Sequence, residues 1–187
     1  MRVNEIFYSL QGEGRRTGEA SIFVRLSGCD LTCSFCDTEF ESGEDMGVEE
    51  IVQAIKEYPA RWIVWTGGEP SLQLKEDHVN HFKRLGYSQA IETNGNNKVP
   101  LGLDWVVVSP KVAEHVVAKN FPDGVDELRY CRSWNQRGIP QPLVKSRHKY
   151  LSPEWGDRRN IAYCVELIKE NPDWRLSIQT HKFLCIR

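Results

Sequence analysis

The sequence contains no long apolar run. Its longest runs, such as Trp105–Val108, extend over a few residues, whereas a helix that spans a membrane needs about 20. The N-terminal segment Met1–Glu5 carries charge but is not followed by the apolar stretch and small-residue cleavage site of a secretory signal. We therefore expect no membrane partner and a cytoplasmic location.

A strong excess of charge is absent as well. The chain has 24 Lys and Arg against 26 Asp and Glu, a net charge of −2, which is not typical of a nucleic-acid-binding protein. No internal repeat or low-complexity tract is present. The length of 187 residues predicts one domain, residues 1–187, because domains cluster near about 100 to 150 residues. The apolar fraction of 40% excludes a disordered chain.

Strand and helix patterns alternate along the chain, which predicts an α/β fold with a parallel sheet. Strands are predicted at 2–8, 21–27, 62–66, 89–92, 104–108, 125–131 and 174–179, and helices at 48–55, at 74–85 and after Asp157. The pattern weakens between residues 111 and 150, where 134–142 is predicted as a loop. A closed eight-stranded barrel takes about 250 residues, so we expect a shortened, incomplete (β/α)6-type barrel with its site at the carboxyl ends of the strands.

Three of the six cysteines lie within eight residues, directly after a predicted strand. Cys29, Cys33 and Cys36 form this group, and in a chain that is not secreted such a group more often binds a metal or cofactor than forms disulfides. A cubane iron–sulfur cluster ordinarily has four thiolate ligands, so three would leave one iron open to a small molecule. Structural zinc needs four ligands, and three packed cysteines are the remaining alternative. Cys131, Cys164 and Cys185 are predicted to lie in the core.

The spacing of this group resembles the signature of the radical S-adenosylmethionine (SAM) superfamily, C-x3-C-x-aromatic-C, over residues 29–36. Gly-Gly-Glu-Pro at 67–70 resembles the second element of that superfamily. The resemblance implies a [4Fe–4S] cluster whose open iron binds SAM. It also implies reductive cleavage of SAM to a 5′-deoxyadenosyl radical, which takes a hydrogen atom from the substrate.

Further motifs narrow the resemblance. Those at 8–14, 36–38, 66–70, 92–95, 109–111 and 179–182 are similar to motifs of the 7-carboxy-7-deazaguanine synthase family. That family converts 6-carboxy-5,6,7,8-tetrahydropterin into 7-carboxy-7-deazaguanine with loss of ammonia, in the biosynthesis of queuosine and related deazapurines. The resemblance therefore implies a radical SAM lyase that is a homodimer and receives electrons from a donor such as flavodoxin or ferredoxin.

The resemblance also implies roles for individual residues. Cys29, Cys33 and Cys36 would hold the cluster, Thr38 would bind Mg²⁺, and Glu92 would belong to the catalytic group. SAM would be bound by Phe35, Asp37, Gly68, Glu69, Ser109, Lys111 and Ser152. The pterin would be bound by Leu10, Gln11, Gly12, Glu13, Arg25, Thr66 and Arg187.

Several of these roles have ordinary alternatives. Arg25 can clamp the substrate carboxylate through two nitrogens, or it can pair with a neighbouring acid. Asp37 can order its loop instead of contacting SAM. Ser152 stands where the family usually has Gln-Pro, and Arg187 stands where some members have a terminal proline.

Two other functions share parts of the pattern. A glycyl-radical activating enzyme has the three cysteines and the Gly-Gly-Glu element but would not need the motif at 11–14 or Thr38. A non-catalytic zinc or iron–sulfur binding module would need only the cysteines.

Overall fold

The computed structural model describes residues 1–187, which form one sheet of nine strands with five α-helices. The strands are β1 (Arg2–Leu10), β2 (Ala20–Leu26), β3 (Glu44–Asp45), β4 (Trp62–Gly67), β5 (Ser88–Thr93), β6 (Trp105–Val108), β7 (Val125–Arg132), β8 (Ser146–Pro153) and β9 (Arg175–Leu176). The helices are α1 (Val48–Ile55), α2 (Glu76–Arg84), α3 (Glu114–Asn120), α4 (Arg158–Glu170) and α5 (Thr180–Leu184). None of these helices is both long enough and apolar enough to cross a membrane.

The sheet is open. Its strand order is β3-β1-β2-β4-β5-β6-β7-β8-β9, with β3 and β9 at the two edges. β1 pairs antiparallel with β2 and β3, and all pairings from β2 to β9 are parallel. Six of the parallel strands, β2 and β4–β8, are four residues or longer. The predicted incomplete (β/α)6-type barrel is confirmed.

Alternation along the strands separates a helix-covered face from a concave face. On β2, Ile22, Val24 and Leu26 are fully buried in a cluster that includes residues of α1 and α2. A second cluster packs β6–β8 against α3 and α4. On β2, Phe23 and Arg25 alternate with Ile22, Val24 and Leu26. Their side chains point to the opposite, concave face because side chains alternate along a strand. The concave face therefore carries the polar side chains that end the strands.

Two elements that begin between residues 111 and 150 were not predicted, helix α3 and strand β8. Helix α3 buries one residue, Val117, so it has almost no apolar stripe. Strand β8 begins with the polar run Ser146–Lys149, which is only partly covered. Hydrophobic periodicity is weak wherever an element has little buried surface. The last strand is also shorter than predicted, Arg175–Leu176 instead of 174–179.

Candidate active site

Two adjoining cavities open at the carboxyl ends of the parallel strands, where ligands bind in open α/β sheets. The larger has a volume of about 430 Å³ and the smaller about 250 Å³. Their common wall consists of Glu13, Asp37, Thr38, Thr66, Glu92 and Gln179. The two cavities thus form one site with two compartments.

The residues predicted from the resemblance divide between the compartments. The larger cavity is lined by Cys29, Cys33, Phe35, Cys36, Gly68, Ser109, Lys111 and Ser152. The smaller is lined by Leu10, Gln11, Gly12, Arg25 and Arg187. Glu69 is the one predicted site residue that lines neither cavity. Most residues expected to contact SAM thus lie on one side of the common wall and most of those expected to contact the pterin lie on the other, while Asp37, Glu13 and Thr66 belong to the wall itself.

The loop that carries the three cysteines is anchored to the segment after β5. Asp30 accepts hydrogen bonds from the side chains of Asn94 (2.8 Å), Asn96 (2.8 Å) and Asn97 (2.7 Å). Partial burial works against ionisation of Asp30, but these hydrogen bonds outweigh it and lower its pKa. The motif at 92–95 and the two asparagines that follow it therefore hold the cysteine loop in place, and the motif also lines the site.

The three thiols provide ligands of the kind that an iron–sulfur cluster takes. No group of three or more His, Cys, Asp or Glu side chains converges closely enough to hold one metal ion, so the three thiols line one cavity without meeting at one point. In zinc sites, ligand atoms surround one ion at about 2 Å, whereas each thiolate of a cubane binds a different iron. Three thiols that line one cavity can each bind a different iron of such a cubane.

The glycines at 67 and 68 allow the end of β4 to pack against the start of the cysteine loop. Gly67 has a φ of +126°, and a Cβ on Gly68 would lie 2.0 Å from the carbonyl oxygen of Gly28. The Gly68 N–H donates to Leu26 O (3.0 Å), and the Glu69 N–H donates to Gly28 O (2.8 Å). The glycines are therefore required because the end of β4 lies very close to the backbone at Gly28.

Glu69, which follows the two glycines, has all its hydrogen-bond partners inside the protein. Its side chain is fully buried, and its carboxylate accepts hydrogen bonds from the Thr93 hydroxyl (2.7 Å) and from the backbone N–H groups of Asn94 (2.7 Å) and Ser71 (3.0 Å). This carboxylate is satisfied within the protein and lines neither cavity, so the contact of Glu69 with SAM stays a prediction.

Glu92 occupies the centre of the common wall. Its carboxylate accepts hydrogen bonds from Thr66 Oγ1 (3.1 Å), Gln11 Nε2 (3.2 Å) and Arg129 Nη1 (3.2 Å). Burial tends to raise the pKa of Glu92, but Arg129 above all, with the hydrogen bonds, lowers it. The group is therefore an ionised acceptor inside the site.

Arg25 shows both of the alternatives raised by the sequence. It lines the smaller cavity, and its Nε binds Glu5 Oε1 at 2.8 Å. The other oxygen of Glu5 binds Arg187 Nη1 at 3.2 Å. Glu5 thus holds two guanidinium groups at the same end of the cavity.

Helix α5 contacts two loops of the site, the one that contains Gly12 and the one that contains Asp37. Thr180 donates to Gly12 O through its backbone N–H (3.0 Å) and its hydroxyl (2.8 Å), and Lys182 forms an ion pair with Asp37. Although burial opposes it, this pairing lowers the pKa of Asp37. The loop-ordering role is therefore the one that the contacts of Asp37 favour.

Sequence reasoning missed several residues that line the site, among them three with ionisable side chains, Arg129, Cys131 and His181. Arg129 and Cys131 alternate on β7 toward the concave face and line the larger cavity, and His181 lines the smaller. The motif at 179–182 pointed to His181, but nothing local distinguished Arg129 or Cys131. Cys131 was predicted as core and instead lies at the cavity, where burial raises its pKa to about 11. Of the other cysteines, Cys164 is buried as predicted, whereas the prediction for Cys185 is wrong because that residue is exposed.

Comparison with known proteins gives consistent matches over the chain. A family model of the radical SAM superfamily matches residues 23–119. A 7-carboxy-7-deazaguanine synthase of Bacteroides thetaiotaomicron is 40% identical over 186 residues, covering 100% of this chain and 98% of that protein. One of Neisseria meningitidis serogroup B is 37% identical, covering 97% and 92%.

A solved structure shares the fold. The crystal structure of QueE from Escherichia coli matches with a TM-score of 0.74 and 26% identity, over 95% of this chain and 93% of that one. Together with the open barrel and its two-compartment site, these similarities show that the chain belongs to the radical SAM superfamily and, within it, to the 7-carboxy-7-deazaguanine synthase family.

Proposed function

We propose that the protein is a radical SAM lyase that converts 6-carboxy-5,6,7,8-tetrahydropterin into 7-carboxy-7-deazaguanine and ammonia, a step in queuosine and 7-deazapurine biosynthesis. The observation that carries the proposal is the pair of adjoining cavities with Glu92 and Thr66 in their common wall. One compartment has thiols, and the other has carboxylates, an amide and a guanidinium. Relatives that cover the whole chain carry the corresponding name.

Membership of the superfamily implies a [4Fe–4S] cluster and SAM. We assign Cys29, Cys33 and Cys36 as the residues that would hold the cluster, which together with SAM would supply a 5′-deoxyadenosyl radical for hydrogen abstraction. The SAM contacts are assigned to the rest of the larger cavity: Phe35, Gly68, Ser109, Lys111 and Ser152. Burial lowers the pKa of Lys111, and its ammonium lies 5.5 Å from the centre of the Phe35 ring.

The pterin is assigned to the smaller cavity. Gln11, Glu13, Thr66 and Glu92 offer an amide, a hydroxyl and two carboxylates to the polar edge of the ring. Arg25 uses Nε for Glu5, which leaves its two terminal nitrogens for the substrate carboxylate. Leu10, Gly12 and Arg187 complete the wall.

Thr38 is assigned to Mg²⁺. It lines both cavities, so an ion beside its hydroxyl would lie between SAM and the pterin. Mg²⁺ takes oxygen ligands and keeps several waters, and one threonine with substrate oxygens meets that requirement. A homodimer and an electron donor such as flavodoxin or ferredoxin are proposed from the family resemblance.

The experiment is anaerobic reconstitution with iron and sulfide, followed by incubation with SAM, reductant, Mg²⁺ and 6-carboxy-5,6,7,8-tetrahydropterin. Formation of both 5′-deoxyadenosine and 7-carboxy-7-deazaguanine, measured by mass, supports the proposal. Formation of 5′-deoxyadenosine alone would indicate a radical SAM enzyme that acts on another substrate. A glycyl-radical activating enzyme is one such enzyme. If protein with an intact cluster formed neither product, a non-catalytic binding module would be favoured.

Arg25→Met tests the assignment of the substrate carboxylate. We expect the KM for the pterin to rise by about tenfold or more, because a charge-assisted contact worth roughly 1.5 to 3 kcal/mol is lost. Arg25→Lys should recover part of the loss, since an ammonium keeps the charge without the fork. An unchanged KM in Arg25→Met would exclude the assignment.

A further inference from the structure

Building on the proposed function, we propose that Arg129 is a positioning residue whose guanidinium holds the carboxylates of Glu13 and Glu92 side by side as a paired acceptor for the N–H groups of the pterin ring. Its Nη1 lies 3.2 Å from Glu92 Oε1 and 3.5 Å from Glu13 Oε2. Glu13 lies in the loop after β1, and Glu92 lies in β5. One nitrogen of β7 thus links two carboxylates from separate parts of the site.

The orientation of Arg129 Nη1 is fixed by contacts that the same guanidinium makes with Glu127. Arg129 donates from Nε (3.1 Å) and Nη2 (2.8 Å) to Glu127 Oε1. The other oxygen of Glu127 accepts from the backbone N–H of Arg15 at 3.0 Å. The side chain of Glu127 is 1% exposed. Because Nε and Nη2 of Arg129 both bind this fixed carboxylate, Nη1 is held toward Glu13 and Glu92.

The local charges require such a cation. Three carboxylates, from Glu13, Glu92 and Glu127, lie within 3.5 Å of Arg129, which is 5% exposed. Carboxylates that share a site repel each other, and without a cation one of them takes up a proton. A protonated carboxyl donates a hydrogen bond where an ionised one accepts. The guanidinium therefore decides whether the wall of the cavity offers acceptors or donors.

The remaining contacts leave the paired acceptor facing the ligand. Glu92 Oε2 accepts from Thr66 (3.1 Å), Glu92 Oε1 also accepts from Gln11 Nε2 (3.2 Å), and Glu13 Oε1 accepts from Ser152 (2.9 Å). Each carboxylate is therefore held at both oxygens and cannot rotate freely. The amino group and neighbouring ring N–H of a pterin are donors side by side. A carboxylate has about four lone-pair sites, which leaves acceptor capacity for such an edge. Arg129 thus acts on the ligand through Glu13 and Glu92.

The test compares Arg129→Gln, Arg129→Lys and the double variant Glu127→Gln/Arg129→Gln. The double variant removes the buried ion pair as a unit, because removing one partner alone leaves an uncompensated buried charge and can prevent folding. The matched control is Arg147→Gln. Arg147 pairs with Asp126 at 3.0 Å across the neighbouring strands β8 and β7 but is 73% exposed, so its pairing contributes little.

Two quantities are measured, steady-state kinetics with 6-carboxy-5,6,7,8-tetrahydropterin and the Kd of the fluorescent probe 6-carboxypterin, which has the same amino-pyrimidinone edge. For Arg129→Gln and the double variant we expect KM and Kd to rise about tenfold or more, with a smaller fall in kcat. Arg129→Lys should lie in between, and Arg147→Gln should match the unsubstituted protein.

The outcomes separate this proposal from the proposed function. A folded double variant with KM and Kd within about twofold of the unsubstituted protein, or with kcat reduced and KM unchanged, overturns the role of Arg129. If the unsubstituted protein binds the probe without forming product, the proposed function fails while Kd still decides the role of Arg129. If it neither binds the probe nor forms product, both proposals are overturned.

Discussion

The hydroxyl of Thr93 donates a hydrogen bond of 2.7 Å to the carboxylate of Glu69, and both side chains are buried. The two residues belong to different sequence motifs, at the ends of neighbouring parallel strands β4 and β5. The backbone N–H of Asn94 binds the second oxygen of Glu69 at 2.7 Å. The ends of the two strands, which carry Gly68 and Glu92 into the site, are therefore locked together by one buried carboxylate.

Thr93→Val should lower the free energy of unfolding by about 1.5 to 3 kcal/mol, because a charged acceptor in the interior loses a donor. The measurement is urea unfolding of the cluster-loaded protein under anaerobic conditions. Thr17→Val is the matched control, since Thr17 is exposed and its hydroxyl binds only Gly14 O; we expect a change within about 0.5 kcal/mol. Equal losses in the two variants would contradict a special role for the Glu69–Thr93 contact.

Four cysteines line the larger cavity, and the proposal assigns the cluster to three of them. Each of three substitutions should reduce bound iron from about four atoms per chain to less than one, because a cubane is held by its thiolates. They are Cys29→Ala, Cys33→Ala and Cys36→Ala. Cys131→Ala is the control from the same cavity and should retain iron and sulfide. If Cys131→Ala lost iron as completely as Cys33→Ala, a fourth protein ligand would be indicated and the open iron excluded.

Much of the site could be predicted because its residues sit in short, contiguous motifs at strand ends. The cysteine group, the Gly-Gly-Glu-Pro element and the motif at 109–111 each follow a recognisable apolar strand, and parallel strands bring their carboxyl ends to one edge. The open barrel followed from the alternation of elements together with the chain length. Both kinds of signal are local in sequence.

The rest depended on contacts between distant segments. Glu69 stands in a motif whose sequence does not reveal that its carboxylate turns inward to Thr93. Arg129 lies in a strand where the alternation Glu127, Arg129, Cys131 also fits a solvated face. Only the curvature of the sheet shows that this face lines the site, because it places Arg129 within 3.5 Å of both Glu13 and Glu92. Partners separated by tens of residues leave no local pattern.

Thr38→Val should raise the Mg²⁺ concentration needed for half-maximal product formation by about tenfold, because valine has the shape of threonine but no oxygen ligand. The measurement is the initial rate of 7-carboxy-7-deazaguanine formation across a Mg²⁺ titration. Thr32→Val is the control, an exposed threonine of the same loop that lies outside both cavities. The same Mg²⁺ requirement in Thr38→Val as in the unsubstituted protein would exclude Thr38 as a ligand.

We expect His181 to make the attachment of α5 to the N-terminal loop sensitive to pH. A Cβ on Gly12 would lie 2.1 Å from His181 Nδ1, so the ring packs directly on that glycine. Burial lowers the pKa of His181 and outweighs the attraction of Glu13, which raises it. In the unfolded chain the imidazole titrates near its ordinary pKa of about 6.5.

Because the pKa of His181 is lower in the folded protein, the unfolded chain binds more protons as the pH falls below about 6.5. The stability contributed by the neutral ring is therefore complete above that pH and is lost progressively as the pH falls through the lowered pKa of the folded state. His181→Gln removes the titrating group, so the free energy of unfolding should decline less between pH 7.5 and pH 5 than in the unsubstituted protein. Urea unfolding at several pH values measures this, and some decline should persist because burial also lowers the pKa of His78. An equal or steeper decline in His181→Gln would show that the packed imidazole on Gly12 does not make the attachment of α5 sensitive to pH.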